Sequence, residues 1–204
     1  MAKCVAATGG LTITSLPTST RLIMQAVVFT GGPGAGKTAV LHALRSQGYA
    51  VVEDTARTII QNRRRQGLAP RPQPLAFAEE VLREDIENYS KSERLSGYVF
   101  FDRGVLDALC MFDQVAPVPR AELDAILTKY RYYRLVFCFP PWEAIYTCDA
   151  ERDQTFADAV HVHAVAVQWY RRCNYGVVDV PKVPVSERCD YILQTLARGV
   201  VCTS

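Results

Sequence analysis

The most constraining feature of this sequence is the segment from Gly31 to Thr38, which reads Gly-Gly-Pro-Gly-Ala-Gly-Lys-Thr. It fits the pattern G-x-x-x-x-G-K-[ST], which marks a P-loop when a strand precedes it and a helix follows it. The apolar run Ala26–Thr30 precedes the segment here, and an amphipathic stretch begins at Lys37. The pattern and its context together predict a strand, a phosphate-binding turn and the first turn of a helix.

The residue types of this segment suit the binding of ATP, or of a similar nucleotide triphosphate, together with Mg²⁺. Gly31, Gly34 and Gly36 allow the backbone to curl with its N–H groups turned inward, and the N-terminus of the next helix favours an anion. Lys37 would reach the β- and γ-phosphates, and Thr38 would bind Mg²⁺. The predicted nucleotide-binding residues are Gly31, Gly32, Pro33, Gly34, Ala35, Gly36, Lys37 and Thr38.

Short apolar runs alternate with longer amphipathic stretches along the chain, which indicates an α/β fold with a parallel sheet between layers of helices. The predicted strands are Ala26–Thr30, Tyr49–Glu53, Tyr98–Asp102, Leu135–Phe139 and Gly176–Val180. Helices are predicted to begin at Lys37, Thr55, Leu75, Val105, Arg120, Thr155 and Ser186. We expect the Ser186 hydroxyl to cap the last helix, and Gly48 to follow the first helix with a positive φ.

Length and composition fit a single globular domain, to which we assign residues 25–204 of the 204. The net charge of +2 is too small to indicate a nucleic-acid or membrane surface. The seven cysteines form no C-x-x-C pair, which argues against a disulfide framework or a structural zinc site and favours a cytoplasmic location. No apolar run approaches the roughly 18 residues of a membrane span. Residues 1–24 are interpreted as a flexible leader, with a transit peptide as the alternative.

Asp102 and Arg103 follow an apolar strand at its carboxyl end, the edge where ligands bind in open α/β sheets. Asp102 resembles the Walker B acid that supports Mg²⁺ in P-loop proteins. Arg103 would hold an anionic group or offset phosphate charge. The alternative is that the two residues only cap the following helix.

Two other strands are also followed by chemically suitable side chains. Asp54 would accept the proton of an attacking hydroxyl, although capping of the next helix is an alternative role, and the adjacent Glu53 projects in another direction. Asp149 and Arg152 follow the fourth strand. A mobile Arg152 would close over the phosphates and stabilise charge that develops during transfer, whereas a solvated charged loop is the alternative.

Other classes of P-loop protein fit this sequence less well. None of Asn62, Asn88 and Asn174 begins the Asn-Lys-x-Asp motif that reads guanine, so a Ras-like GTPase is disfavoured. About 18 residues follow the predicted last strand and its linker, which is room for roughly one helix and not for the lid domain of a ring-forming AAA+ machine. A compact, kinase-like arrangement remains.

From about Gln25 to Leu196 the sequence resembles a family of small bacterial AAA-type ATPases. The P-loop domain of that family is similar to that of ribosylnicotinamide kinase and, more distantly, to those of deoxynucleoside and thymidylate kinases. The motifs that carry the resemblance are Phe29–Thr38, Val51–Arg57, Phe101–Gly104 with Asp107, Asp149 with Arg152, and Val180–Pro181 followed by Ser186–Arg188. The resemblance implies a kinase-like P-loop fold, an ATP site and phosphoryl transfer, with Glu often standing in the family where this chain has Asp54.

These observations lead to three hypotheses of function. The first is an ATP-dependent phosphotransferase for a small hydroxyl-bearing metabolite, such as a nucleoside or a ribosylated base, with acceptor contacts from Ala69–Tyr89. The second is a nucleotide-dependent switch whose ATP-bound loop around Arg152 is read by a protein partner. The third, a nucleic-acid-linked ATPase that uses Arg63–Arg65, conflicts with the small net charge. The catalytic residues of the first hypothesis are Lys37, Asp54, Asp102, Arg103 and Arg152. The sequence decides neither between ATP and GTP nor the oligomeric state, a homodimer included.

Overall fold

The computed structural model describes residues 23–146 and 155–201. Five strands and seven helices follow one another in these ranges, with a short 3₁₀ helix at Glu143–Ile145. The strands are β1 (Met24–Gly31), β2 (Ala50–Val52), β3 (Gly97–Asp102), β4 (Leu135–Phe139) and β5 (Gly176–Asp179). The helices are α1 (Lys37–Ser46), α2 (Thr55–Arg65), α3 (Pro74–Ser92), α4 (Val105–Asp113), α5 (Arg120–Lys129), α6 (Phe156–Arg172) and α7 (Val185–Val201).

The five strands form one parallel sheet in the order β2-β3-β1-β4-β5, which confirms the predicted α/β fold. β1 lies in the middle, and its residues from Ala26 to Gly31 are all buried, as a strand covered on both faces should be. β1 begins earlier than predicted, because Met24 pairs with Gly97 of β3. The last residue of the predicted leader therefore belongs to the sheet, and residues 1–22 lie outside the described ranges.

Alternate residues of β1 contribute to two separate hydrophobic layers. Ala26 and Val28 face the layer that includes Leu106 of α4 and Trp169 of α6. Residues 27 and 29 face the opposite layer, beneath α1 and α7. Thr30 continues the first face as a buried polar residue, so its hydroxyl is directed to the side where α4 begins. Residues after the carboxyl ends of the strands thus meet at one edge of the sheet.

Local capping chemistry explains the start of α6 and the end of α1. Thr155 caps α6 in a reciprocal capping box with Asp158, and the φ of Gly48 after α1 is +93°, as predicted. The predicted N-cap of α7 is wrong, because the helix begins at Val185 and Ser186 lies inside its first turn. No helix within the described ranges combines the length and apolar character of a membrane span.

Candidate functional site

The P-loop curls as its glycines predict. Gly31, Gly34 and Gly36 have φ values of +117°, +73° and +83°, in the region that disfavours side chains. A Cβ atom on Gly31 would lie 2.5 Å from the backbone oxygen of Phe139 in β4. Gly36 stands at the N-cap of α1, so the turn leads directly into a helix N-terminus, where anions are favoured.

Lys37 has its ammonium group inside the loop. The residue is 6% exposed, and Nζ donates hydrogen bonds to the carbonyl oxygens of Gly32 (2.9 Å) and Gly31 (3.4 Å). Burial, with the nearby Arg103 charge, lowers the pKa of Lys37 to about 8 against the opposing effect of Asp102. A buried ammonium without a carboxylate in hydrogen-bond contact is a suitable partner for a phosphate anion.

Thr38 and Asp102 lie next to each other on α1 and at the end of β3. The Thr38 hydroxyl donates to Asp102 Oδ2 at 3.1 Å, while the other carboxylate oxygen, Oδ1, is buried without a hydrogen-bond partner. Burial raises the pKa of Asp102, and the Lys37 charge opposes this shift. Hard oxygen ligands of this kind fit the preference of Mg²⁺ for carboxylate and hydroxyl oxygens.

Arg103 is fixed in position by contacts with three parts of the site. Its Nη2 donates to the Gly31 carbonyl at 2.8 Å, Nη1 lies 3.5 Å from Asp107 Oδ1, and Nε lies 3.6 Å from Asp54 Oδ2. Burial acts against the charge of Arg103, but the three carboxylates of Asp54, Asp107 and Asp102 outweigh it and raise the pKa. The guanidinium therefore stays charged beside the P-loop.

The Asp107 carboxylate contacts Arg103 and is itself held by two hydroxyl groups. Its Oδ1 accepts a hydrogen bond from the Thr30 hydroxyl at 2.5 Å, and its Oδ2 accepts one from the Tyr170 hydroxyl at 2.5 Å. These partners come from β1 and α6, so three elements converge on one carboxylate that is only 8% exposed. The motifs of the resemblance included Asp107 and Thr30 without giving Thr30 a role, whereas Tyr170 carried no local signal.

Asp54 caps α2, which is the alternative role that the sequence left open for it, and its general-base role stays a prediction. Its Oδ1 accepts a hydrogen bond from the backbone N–H of Arg57 at 3.1 Å and so caps α2, while Oδ2 faces Arg103. The residue also lines the central cavity. Glu53 instead forms an exposed ion pair with Arg45 at 2.8 Å, as expected from its different direction.

A cavity of about 630 Å³ extends to both sides of the P-loop. We name the part of the cavity on the β2–β3 side the α3 lobe, and the part on the β4–β5 side the α7 lobe. The α3 lobe comprises Thr55, Ile60, Arg71, Phe77, Val81, Asp85, Ala108 and Met111. The α7 lobe comprises Ile145, Val185 and Arg188. Lys37, Asp54, Asp102 and Arg103 line the part between them.

Arg188 is a site residue that sequence reasoning missed, apart from its place in a resemblance motif. It is 4% exposed, its guanidinium lies 5.5 Å from the ring centre of Trp142, and Nη1 donates to the Ala35 carbonyl at 3.4 Å. Its Nε is buried without a hydrogen-bond partner, and burial lowers the pKa of the side chain. A buried, incompletely satisfied cation next to the P-loop points to a ligand there.

Asp85 is the second missed residue. It lies on α3, within the segment that was predicted to contact an acceptor, and its carboxylate lines the α3 lobe. The predicted Asp149 and Arg152 lie in residues 147–154, outside the described ranges, so the proposed closing arginine stays a prediction.

Comparison with known proteins agrees with this fold. A model of the AAA domain family matches residues 26–188. Two solved structures of deoxyadenosine kinase from M. mycoides, one with bound dATP and one with the products dCMP and a flexible dCDP, are similar, with TM-scores of 0.59 and 0.61. They share 11% and 12% identity, and the matches cover 85% of this chain and 99% and 100% of theirs.

Thymidylate kinase from Ehrlichia chaffeensis is similar at a TM-score of 0.57 and 13% identity, over 85% of this chain and 98% of that one. Among curated proteins, none matches the sequence. At these identities the likeness concerns the fold, which is the P-loop fold of nucleoside and nucleotide kinases.

Proposed function

The chain belongs to the AAA domain family, and on that premise we propose that it is an ATP-dependent phosphotransferase for a small hydroxyl-bearing metabolite, such as a nucleoside or a ribosylated base. The observation that carries the proposal is the continuous cavity from the α7 lobe, past the P-loop, to the α3 lobe. A nucleotide held by the P-loop would have its γ-phosphate in the middle of this cavity. The α3 lobe then offers a second molecule room beside that phosphate, which hydrolysis alone does not require.

Lys37, Thr38 and Asp102 would hold the phosphates and Mg²⁺. A Mg²⁺ ion held by the Thr38 hydroxyl and the Asp102 carboxylate would supply positive charge to offset the negative charge that develops during transfer. The fit rests on the unpartnered Oδ1 of Asp102 and on the Thr38 hydroxyl beside Oδ2. Lys37 contributes a positive charge that is already turned into the loop.

Asp54 would act as the general base. The acceptor hydroxyl oxygen forms a bond to the γ-phosphorus, the bond from that phosphorus to the bridging oxygen of ADP breaks, and the hydroxyl proton passes to the Asp54 carboxylate. The hydrogen bond from the backbone N–H of Arg57 holds one oxygen of this carboxylate at the start of α2, and the other oxygen faces Arg103. Arg103 would offset the charge of the transferring phosphoryl group, which is also the role predicted for Arg152.

The α7 lobe would receive the nucleoside part of ATP. Arg188 lines this lobe and lies over the ring of Trp142, and among the described residues its Nε has no hydrogen-bond partner. Planar guanidinium and indole groups are suitable contacts for a planar base. This arrangement leaves the α3 lobe to the acceptor.

The proposal is tested by measuring ADP release from Mg-ATP across a panel of nucleosides, ribosylated bases and small alcohols. One acceptor class is expected to raise turnover by orders of magnitude. Lys37→Ala is expected to abolish that turnover, and Asp54→Asn to lower kcat by about 10²- to 10⁴-fold. Glu53→Gln is the matched control, because its side chain forms a surface ion pair and lies next to Asp54 in sequence.

Two outcomes would count against a phosphotransferase. If ATP binds and turns over slowly whatever acceptor is added, the switch hypothesis replaces it, and a protein partner becomes the ligand to identify. If Asp54→Asn and Glu53→Gln lower turnover equally, Asp54 is not the base.

A further inference from the structure

Asp85 places a carboxylate at the inner wall of the α3 lobe. The residue is 7% exposed, and its Oδ1 accepts a hydrogen bond from the Thr55 hydroxyl at 2.5 Å. That hydroxyl in turn accepts one from Asn88 Nδ2 at 3.2 Å. The Thr55 hydroxyl has only one hydrogen. Because the hydroxyl accepts from Asn88, that hydrogen is directed to Asp85, and the Asp85 carboxylate is held in place.

The two carboxylate oxygens of Asp85 have different surroundings. Within the described part of the chain no lysine or arginine forms an ion pair with Asp85, and the hydrogen bond from Thr55 occupies one oxygen only. A buried carboxylate without a cation is costly unless a donor reaches it. The cavity is the side from which such a donor can come.

The walls of the α3 lobe around Asp85 are mainly apolar and partly aromatic. The apolar residues are Ile60, Phe77, Val81, Ala108 and Met111, and the polar residues of the lobe besides Asp85 are Thr55 and Arg71. Such walls accommodate the faces of a flat ring, whereas the carboxylate can interact only with a ring edge that carries N–H groups. Asp54 lies in the same cavity nearer the P-loop, so a ring held at Asp85 leaves a hydroxyl substituent free to extend toward it.

We propose that Asp85 selects the acceptor, and that the acceptor is a heterocyclic nucleoside whose base carries an exocyclic amino group. The amino N–H donates to the free carboxylate oxygen, as carboxylates accept from the amino group of cytosine in nucleic-acid recognition. A keto oxygen at the same ring position is a hydrogen-bond acceptor like the carboxylate, so the two groups could not form a hydrogen bond with each other. This inference rests on the proposed phosphotransferase function and names the chemical class of its acceptor.

Two matched pairs of probes test the proposal: adenosine against inosine, and cytidine against uridine. The members of each pair differ in an amino or keto group and in the adjacent ring nitrogen, which is an acceptor in the amino nucleoside and carries a hydrogen in the keto nucleoside. Binding to the full chain is measured by calorimetry without ATP, and kcat/KM by ADP release with Mg-ATP, both at a pH well above 7, where the Asp85 carboxyl group is ionised. At least one amino nucleoside is expected to bind at least about tenfold more tightly than its keto counterpart, since a site built for a donor leaves its polar group unpaired with the analogue.

Asp85→Asn is the informative variant. Its amide carbonyl can still accept from Thr55, and its NH₂ group then presents a donor to the lobe, so the preference for the amino nucleoside should fall at least about tenfold or reverse. Glu87→Gln on the same helix is the control, because Glu87 is exposed and pairs only with Lys91 on the surface. This control should keep the wild-type preference.

Equal binding of both members of each pair by the wild-type protein would overturn the proposal, and so would an amino preference that Asp85→Asn leaves unchanged. Both results concern binding and do not depend on catalysis. An amino preference that Asp85→Asn removes, in a protein that transfers no phosphate, would instead uphold the Asp85 contact and reject the phosphotransferase function.

Discussion

Replacing Asp85 by Asn is expected to stabilise the protein at alkaline pH far more than at acidic pH. Burial raises the pKa of Asp85 from 3.8 to about 7, with the Thr55 hydrogen bond acting against the shift. The folded chain therefore holds a proton that the unfolded chain has already released. The contribution of Asp85 to stability is complete below the unfolded pKa and is lost as the pH rises through about 7.

The size of this effect follows from the same pKa difference. Roughly three pKa units at about 1.4 kcal/mol each give about 4 kcal/mol as the largest change in the free energy of unfolding. The linkage relation places about 2.5 kcal/mol of this change between about pH 5 and pH 8, because the part below pH 5 is already lost there. Asp85→Asn removes the titration, so the variant should gain on the wild type by that amount across this interval.

The assay is urea denaturation of the wild-type protein and Asp85→Asn at several pH values from about 5 to 8, with Glu87→Gln as the control. Other carboxylates, such as Asp102 and Asp107, titrate in both proteins and cancel to first order in the difference. The reasoning that burial raises the pKa of Asp85 would be refuted if the two proteins differed in free energy of unfolding by a constant amount at all pH values, or by an amount that grows toward low pH.

Three further predictions concern the P-loop and its support. Gly31→Ala should destabilise the protein by more than about 2 kcal/mol and abolish ATP binding, because its Cβ would meet the backbone of β4. Gly67 also has a positive φ but has open space around it, so Gly67→Ala should cost only about 1 kcal/mol. Equal losses of stability for the two variants in urea denaturation would contradict this prediction. Asp102→Asn should weaken the binding of Mg-ATP at least about tenfold without weakening that of Mg²⁺-free ATP, as measured by calorimetry, and an equal loss in both would reject Asp102 as a metal ligand. Tyr170→Phe should cost about 1–3 kcal/mol in the free energy of unfolding, because the buried Asp107 carboxylate loses a donor, and a neutral result would show that the remaining partners suffice.

The parts of the site that the sequence predicted are those that depend on local chain geometry. The P-loop needs only the residues from Gly31 to Thr38 between one strand and one helix, and its positive φ angles follow from its glycines. Asp54, Asp102 and Arg103 could be placed because each follows the carboxyl end of a parallel strand, and these ends meet at one sheet edge.

The parts that the sequence did not predict depend on contacts between distant residues. Tyr170 reaches Asp107 across 63 residues of the chain, and Arg188 reaches Ala35 across 153. Neither partner has a periodicity or spacing that links it to the other. Asp85 lies on the buried side of α3 with Val81 and Tyr89. Nothing in the sequence distinguishes this carboxylate from the other residues of the predicted acceptor segment Ala69–Tyr89, and its burial depends on the packing of α3 against α2 and α4.

The boundary error at α7 has a similar cause. Ser186 was a good N-cap by residue type, but the backbone N–H of Arg188 donates to the Pro184 carbonyl at 3.1 Å, so the helix starts one residue before the serine.

The central claim is that a phosphoryl group passes from ATP at the P-loop to a hydroxyl group of a molecule in the α3 lobe. The most direct measurement is the stoichiometry of the products formed with Mg-ATP and the best-binding nucleoside, with ADP, phosphorylated nucleoside and inorganic phosphate each quantified by mass spectrometry or chromatography. The account predicts one phosphorylated nucleoside for each ADP and almost no inorganic phosphate. ADP accompanied only by inorganic phosphate, with the nucleoside unchanged, would contradict it.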